Sequence, residues 1–205
     1  MRIIAIGCEY SGVSTLIEHL DAWGKERGIH HHLDDHFTIP DAYHLDQAEQ
    51  RAMLEMLPAI KERFQRFQIV YHVRLLHRYE HILLGGFHLE EAVYGPRYYY
   101  PDIAIEVREY EPELPADTIL VHLHARPEVI RARMAAHPHP HQLVQPAEVE
   151  PILRRFAEEY RHSWIRRRFE IDTSDLSPAQ LLEVFLQRSI PHLTPADAAT
   201  RMLTG

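Results

Sequence analysis

The sequence predicts an α/β protein of three layers, with about five parallel strands covered by helices on both faces. Three observations predict it. Short apolar runs alternate with segments of helical periodicity along the 205 residues. The first run, Arg2-Ile3-Ile4-Ala5-Ile6, is nearly continuous, as suits a strand buried on both sides. A glycine-rich turn joins that run to the first helical segment, which is a strand–loop–helix unit.

The elements follow in order. Helical periodicity covers Thr15 to Arg27, with Leu16, Leu20 and Trp23 on one face. Ile29 to Leu33 reads as the second strand, ending in Asp34-Asp35-His36, and a loop containing Pro40 follows. Asp46 to Arg63 is helical through Ala48, Met53, Leu54, Leu57 and Ile60, and Pro58 should kink or break it. Phe64 to Tyr79 continues as helix. His81 to Leu84 is the third strand, followed by Gly85-Gly86. Phe87 to Tyr94 begins a helix that Gly95-Pro96 should close. Asp102 to Tyr110 is ambiguous and leans helical. Thr118 to His124 is a strand bounded by Pro115 and Pro127, and Pro127 suits the first position of a helix running to about Ala136. His137-Pro138-His139-Pro140-His141 must be a loop. Glu148 to Ser163 is a helix, Arg168 to Asp172 the fifth strand and Pro178 to Arg188 the last long helix.

Composition narrows the function. The length suits one domain, 1–205. The net charge of −8 argues against a nucleic-acid backbone as partner, because that partner requires a positive footprint. No apolar run of about 18 residues predicts a membrane span. A chain that opens on a core strand leaves no room for a secretory signal, and a single cysteine excludes an internal disulfide, so a reducing, cytoplasmic setting is expected. Cys8 reads as a small filler before it reads as a redox switch. Lys25 and Lys61 are the only lysines, so any phosphate clamp must use arginine. Of seventeen histidines, seven cluster at 30–36 and 137–141, and their charge changes between about pH 5 and 8. On a strand His30, His32 and Asp34 share a side, which raises a metal site; His137, His139 and His141 raise a second. A solvated histidine surface is the plainer reading of both.

The turn Gly7-Cys8-Glu9-Tyr10-Ser11-Gly12-Val13-Ser14-Thr15 carries the chemistry. It matches the phosphate-loop pattern G-x-x-x-x-G-K-[ST] except that Val13 stands in the lysine position. Backbone N–H groups of such a loop wrap phosphates, and the helix start adds partial positive charge. The residues assigned to phosphate are Gly7, Ser11, Gly12, Val13, Ser14 and Thr15, with the Ser14 hydroxyl also the metal ligand.

This loop, the acidic pair after the second strand, the segment Phe87-His88-Leu89-Glu90-Glu91-Ala92-Val93-Tyr94-Gly95-Pro96 and the segment Val121 to Val129 together resemble the thymidylate kinase and deoxynucleoside kinase group, over about residues 1 to 190. The resemblance implies a P-loop kinase fold. It implies transfer of the γ-phosphoryl of ATP, with Mg2+, to a nucleoside or nucleoside monophosphate. It places Asp34 or Asp35 near the acceptor oxygen as proton acceptor or water-linked magnesium ligand. It gives the third helix a pocket role through Gln68, Tyr71 and Arg74, with Tyr94 and Arg97 as further pocket candidates. It makes 131–147 a lid, with Arg131 and Arg133 as charge stabilisers. Those two, like Arg126, flank the lid, and as helix neighbours two apart they do not share a face. The partner is a small nucleoside or nucleotide, and a homodimer is left open. Two charged features of the group are missing together: the loop lysine, and the acidic-arginine pair expected where Gly85-Gly86 stands. The alternative reading is therefore a catalytically weak nucleotide-binding or regulatory protein on the same fold, and metal-linked hydrolysis is a more distant one.

Overall fold

Five parallel strands form one sheet in the order β2-β3-β1-β4-β5. They are β1 (Arg2–Ile6), β2 (His32–Asp35), β3 (Ile82–Gly85), β4 (Thr118–His124) and β5 (Arg167–Asp172). The helices are α1 (Val13–Lys25), α2 (Gln47–Glu55), α3 (Pro58–Arg78), α4 (His88–Tyr94), α5 (Pro127–Ala136), α6 (Val149–His162), α7 (Pro178–Ser189) and α8 (Pro195–Leu203). The computed structural model describes residues 1–35, 39–40, 44–139 and 141–203, without side chains for Asp35 and 200–203.

Successive strand residues point to opposite faces, and this divides the core in two. Ile3 and Ala5 join Leu16 and Leu20 of α1 and Leu181 and Phe185 of α7 on one face. Ile4 and Ile6 join Ile69 and Leu76 of α3 and Phe156 of α6 on the other. Burying each such side chain contributes about 1.5–3 kcal/mol. Because β1 is central and both its faces are covered, the turn after it is held at a fixed height above the sheet. That turn lies at the carboxyl end of the strands, where the chain order reverses and ligands bind in open α/β sheets.

β4, α5 and the start of α7 form as expected, with Pro127 and Pro178 at first helical positions. Pro58 breaks its helix outright: Leu57 is extended, and Pro58 opens α3. Three expectations are corrected, and one element is added. The second strand begins at His32, not Ile29, because Gly28 at φ +70 ends the turn after α1 and the Ile29 N–H bonds back to the Gly24 carbonyl. Gly95-Pro96 does not close α4; the chain winds on as a π turn, Gly95–Tyr99, and Pro96 sits at its start, where no N–H is required. The 102–107 stretch is not helical. Asp102 enters at φ 69, and Ile103, Ile105 and Val107 face the core at every second residue, a strand-like period; only Arg108–Glu113 makes a 3-10 turn. Finally, α8 went unforeseen, and its start is fixed by the Thr194 hydroxyl, which accepts the Asp197 N–H at 3.1 Å.

Candidate phosphate-binding site

The turn after β1 is an uncapped helix start. Gly12 is the N-cap of α1 at φ 104, with no side-chain cap. The N–H groups of Gly12, Val13, Ser14 and Thr15 meet no acceptor among the described residues, whereas the Ser11 N–H is used on the Cys8 carbonyl at 2.9 Å. Four free donors at a helix N-terminus make a cradle for an anion. A Cβ at Gly7 would collide with the Leu123 carbonyl and the Ser11 hydroxyl, so only glycine fits where the loop leaves the sheet. The Thr173 hydroxyl donates to the Ser11 carbonyl at 2.7 Å and braces the loop from the end of β5. Cys8 is buried, and burial pushes its thiol up to about 12, so it is an inert filler.

Val13 does not stand in for a lysine. Its side chain is half-buried and packs against the core that α1 and α7 share with the sheet. Neither lysine replaces it: Lys25 pairs with Asp21 at 2.7 Å, and Lys61 donates to the Leu54 carbonyl at 2.7 Å. Ser14 is exposed and Thr15 half-buried, so a hydroxyl is offered at the mouth. The donor set thus fits phosphate, with Ser14 as the protein ligand a phosphate-bound magnesium would use.

At the end of β2, Asp34 has its carboxylate 3.4 Å from His72 Nε2 on α3 and 3.6 Å from His32 Nε2. The side chain of Asp35 lies outside the described residues. A carboxylate from another element lies beside Gly85-Gly86. Gly86 is at φ +75, and a Cβ there would lie 2.7 Å from Glu90 Oε2, so the Glu90 carboxylate from the first turn of α4 occupies the strand end.

Among the pocket candidates, α3 separates what the spacing of three put together, because each step of three drifts about 60° around a helix. Gln68 is buried, and its Oε1 has no hydrogen-bond partner among the described residues. Tyr71 and Arg74 are exposed on the outer side. Tyr94 is buried and its hydroxyl accepts the Glu9 N–H at 2.9 Å, so it supports the loop from below; burial pushes that phenol well up. Arg97 pairs with Glu148. Of the lid arginines, Arg133 reaches the loop, with Nη1 donating to the Tyr10 carbonyl at 2.9 Å and Nη2 to the Thr173 carbonyl at 2.7 Å. Arg131 is not brought to the loop; it holds the Pro146 carbonyl and Glu150. Arg126 forms a bidentate pair with Asp175 at 2.8 Å.

Among the described residues no three His, Cys, Asp or Glu side chains converge to hold an ion. His30 precedes the strand and is exposed, which removes it from the side that His32 and Asp34 share; His36 and Pro140 lie outside the described residues. Sequence reasoning missed Glu9, His72, Glu90 and Thr173. A sequence signal existed for Glu90, an acid in the first turn of the helix after Gly85-Gly86; the other three depend on contacts between distant elements.

The fold is that of the P-loop kinases. YorR of Bacillus subtilis, solved in complex with phosphorylated GDP, aligns at 17% identity and a TM-score of 0.60, over 94% of this chain and 99% of that one. Deoxyadenosine kinase of M. mycoides with bound dATP aligns at 14% and 0.58, over 92% and 98%. Thymidylate kinase of Candida albicans aligns at 13% and 0.57, over 94% and 93%. No protein-family model and no curated protein matches the sequence. Among the described residues no helix is long and apolar enough to cross a membrane.

Proposed function

We propose that the protein is a phosphotransferase of the nucleoside kinase type, moving the γ-phosphoryl of ATP to a hydroxyl. The observation that carries the reading is the cradle of four free N–H groups at Gly12, Val13, Ser14 and Thr15, on a fold shared with deoxyadenosine and thymidylate kinases. The protein would sit in a single domain, act with magnesium held through Ser14 and phosphate oxygens, and work in the cytoplasm.

The charge pattern favours an uncharged nucleoside over a monophosphate as acceptor. The inner face of α3 offers Gln65, Gln68 and His72, all buried and none cationic by nature. The arginines nearby are committed or turned away: Arg66 to Glu62, Arg97 to Glu148, Arg74 to the exposed side. Between Arg27 and Arg51 the sequence has no arginine or lysine. A dianionic acceptor would therefore meet Asp34, Glu90 and Glu91 without a guanidinium to receive it.

In this reading Gln68 presents its carboxamide to the base. Asp34 takes the proton of the attacking hydroxyl as the new P–O bond forms and the bond to ADP breaks, and His72 and His32 keep its carboxylate oriented. Arg133 steadies the loop through the Tyr10 carbonyl and would be the charge stabiliser in this reading. Arg131 and Arg97 would reach the site only by leaving Glu150 and Glu148; Tyr71 and Arg74 would bound its outer rim.

Release of ADP from Mg-ATP should depend on an added nucleoside and not on a nucleoside monophosphate. Turnover with monophosphates alone would overturn the acceptor assignment. Stabilisation by Mg-ATP without acceptor-dependent turnover would establish the second reading, a nucleotide-binding protein with little transfer. The packing of Val13 into the core favours that reading, because removing one transition-state donor costs about 100- to 1000-fold.

A further inference from the structure

The loop after β1 is fastened to His137, His139 and the stretch 142–144 by two residues that the phosphate cradle itself does not use. Glu9 Oε2 accepts the Val144 N–H at 2.8 Å, and the Leu143 N–H lies 3.1 Å from both carboxylate oxygens. His139 Nε2 lies 3.6 Å from Glu9 Oε1. The Tyr10 hydroxyl is 2.9 Å from Gln142 Oε1 and 3.1 Å from the His137 carbonyl, and its ring stacks on His139 with centroids 5.5 Å apart. Tyr10 takes φ 66, a conformation a bulky residue rarely adopts, and Arg133 holds its carbonyl there. The Glu9 carboxylate is thus shielded and satisfied only while 141–144 lies against the loop. Burial pushes that carboxyl up, while the Val144 and Leu143 N–H groups pull it back.

We propose that Glu9 is the latch of a lid: it holds 141–144 down on the phosphate loop, and nucleotide binding and the latched state oppose each other. The inference rests on reading 7–15 as the phosphate site. Its physical cause is like charge. An anion arriving at the N–H groups of 12–15 stands a few residues from a fixed carboxylate, so each disfavours the other. Two states coupled in this way obey linkage: the factor by which unlatching raises the affinity for nucleotide is the factor by which nucleotide favours unlatching.

Hydrogen exchange of the ligand-free full chain reads the latch directly at the Leu143 and Val144 amides. Glu9→Ala should speed their exchange by about tenfold, with Glu9→Gln between it and the natural protein, since the amide keeps an acceptor oxygen without the charge. Both variants should bind Mg-ATP more tightly, Glu9→Gln included, because the charge is gone. Added Mg-ATP should speed exchange at the same two amides in the natural protein. Unchanged exchange in Glu9→Ala overturns the latch. Faster exchange with unaltered Mg-ATP affinity overturns the opposition between latch and nucleotide. If neither the natural protein nor any variant binds Mg-ATP, the phosphate-site reading fails, and the exchange data then show separately whether Glu9 fastens the segment. Should Glu9→Ala not fold, Tyr10→Phe, which removes only the hydroxyl contact to Gln142 and His137, must produce the same changes in smaller degree or the latch is overturned.

Discussion

The carboxylate of Glu90 fills the space that a side chain on Gly86 would require, with its Oε2 2.7 Å from where a Cβ would stand. Gly86 is also at φ +75. Two costs therefore act on Gly86→Ala: strained backbone, and displacement of Glu90. We expect a loss of about 1–3 kcal/mol in urea unfolding. Glu90→Ala in the same chain should recover the steric part and leave the backbone part. Strict additivity of the two changes would show that Glu90 does not occupy the strand end.

Val13→Lys separates stability from chemistry. Losing the packing of Val13 against the α1–α7 core should cost about 1 kcal/mol in the absence of nucleotide. The new ammonium should strengthen binding of Mg-ATP and raise any transfer activity, since a lysine here reaches the β- and γ-phosphates. If Val13→Lys weakens nucleotide binding instead, the natural site is organised around the valine.

The element sequence was legible because its punctuation is local. Pro115, Pro127 and Gly7 mark boundaries by backbone chemistry alone, and Thr118–His124 and Pro127–Ala136 fall where those residues put them. Loop glycines Gly7 and Gly12 were legible for the same reason. Asp34 was named from the sequence as well, but Glu9 was not. Glu9 meets its partners across 134 and 135 residues of chain, and only the folded sheet brings them together. The 102–107 stretch failed differently: Ile103, Ile105 and Val107 carry a period of two, and a reading attentive to that period would have made it extended.

His31 makes the fold sensitive to acid. Its imidazole has 0% side-chain exposure, against the backbone of Gly24 and 3.6 Å from Asp21. Burial, aided by the nearby N-terminal ammonium, lowers it from 6.5 to about 4, although Asp21 pulls the other way. The neutral form is thus favoured by folding. Its contribution is complete above about pH 6.5 and is lost as pH falls toward about 4, because the unfolded chain takes up the proton first. Unfolding free energy measured across that window should slope downward into acid, and His31→Gln should flatten the slope. A slope unchanged by His31→Gln would assign it to other groups.

Gln68 offers the cleanest separation of fold from function. Its side chain is 4% exposed, and its Oε1 has no hydrogen-bond partner among the described residues. A buried polar atom without a partner costs about 1–3 kcal/mol, so a sequence selected for stability alone would place an apolar residue there. Gln68→Leu keeps nearly the same volume and removes the unsatisfied group. We expect it to leave thermal stability unchanged or raise it by up to about 1 kcal/mol. If the carboxamide is kept to receive an acceptor's base, the same substitution should abolish stabilisation by nucleosides and leave the response to Mg-ATP intact. A variant that loses stability instead would mean that Gln68 holds the core together, and the acceptor would then have to be sought away from α3.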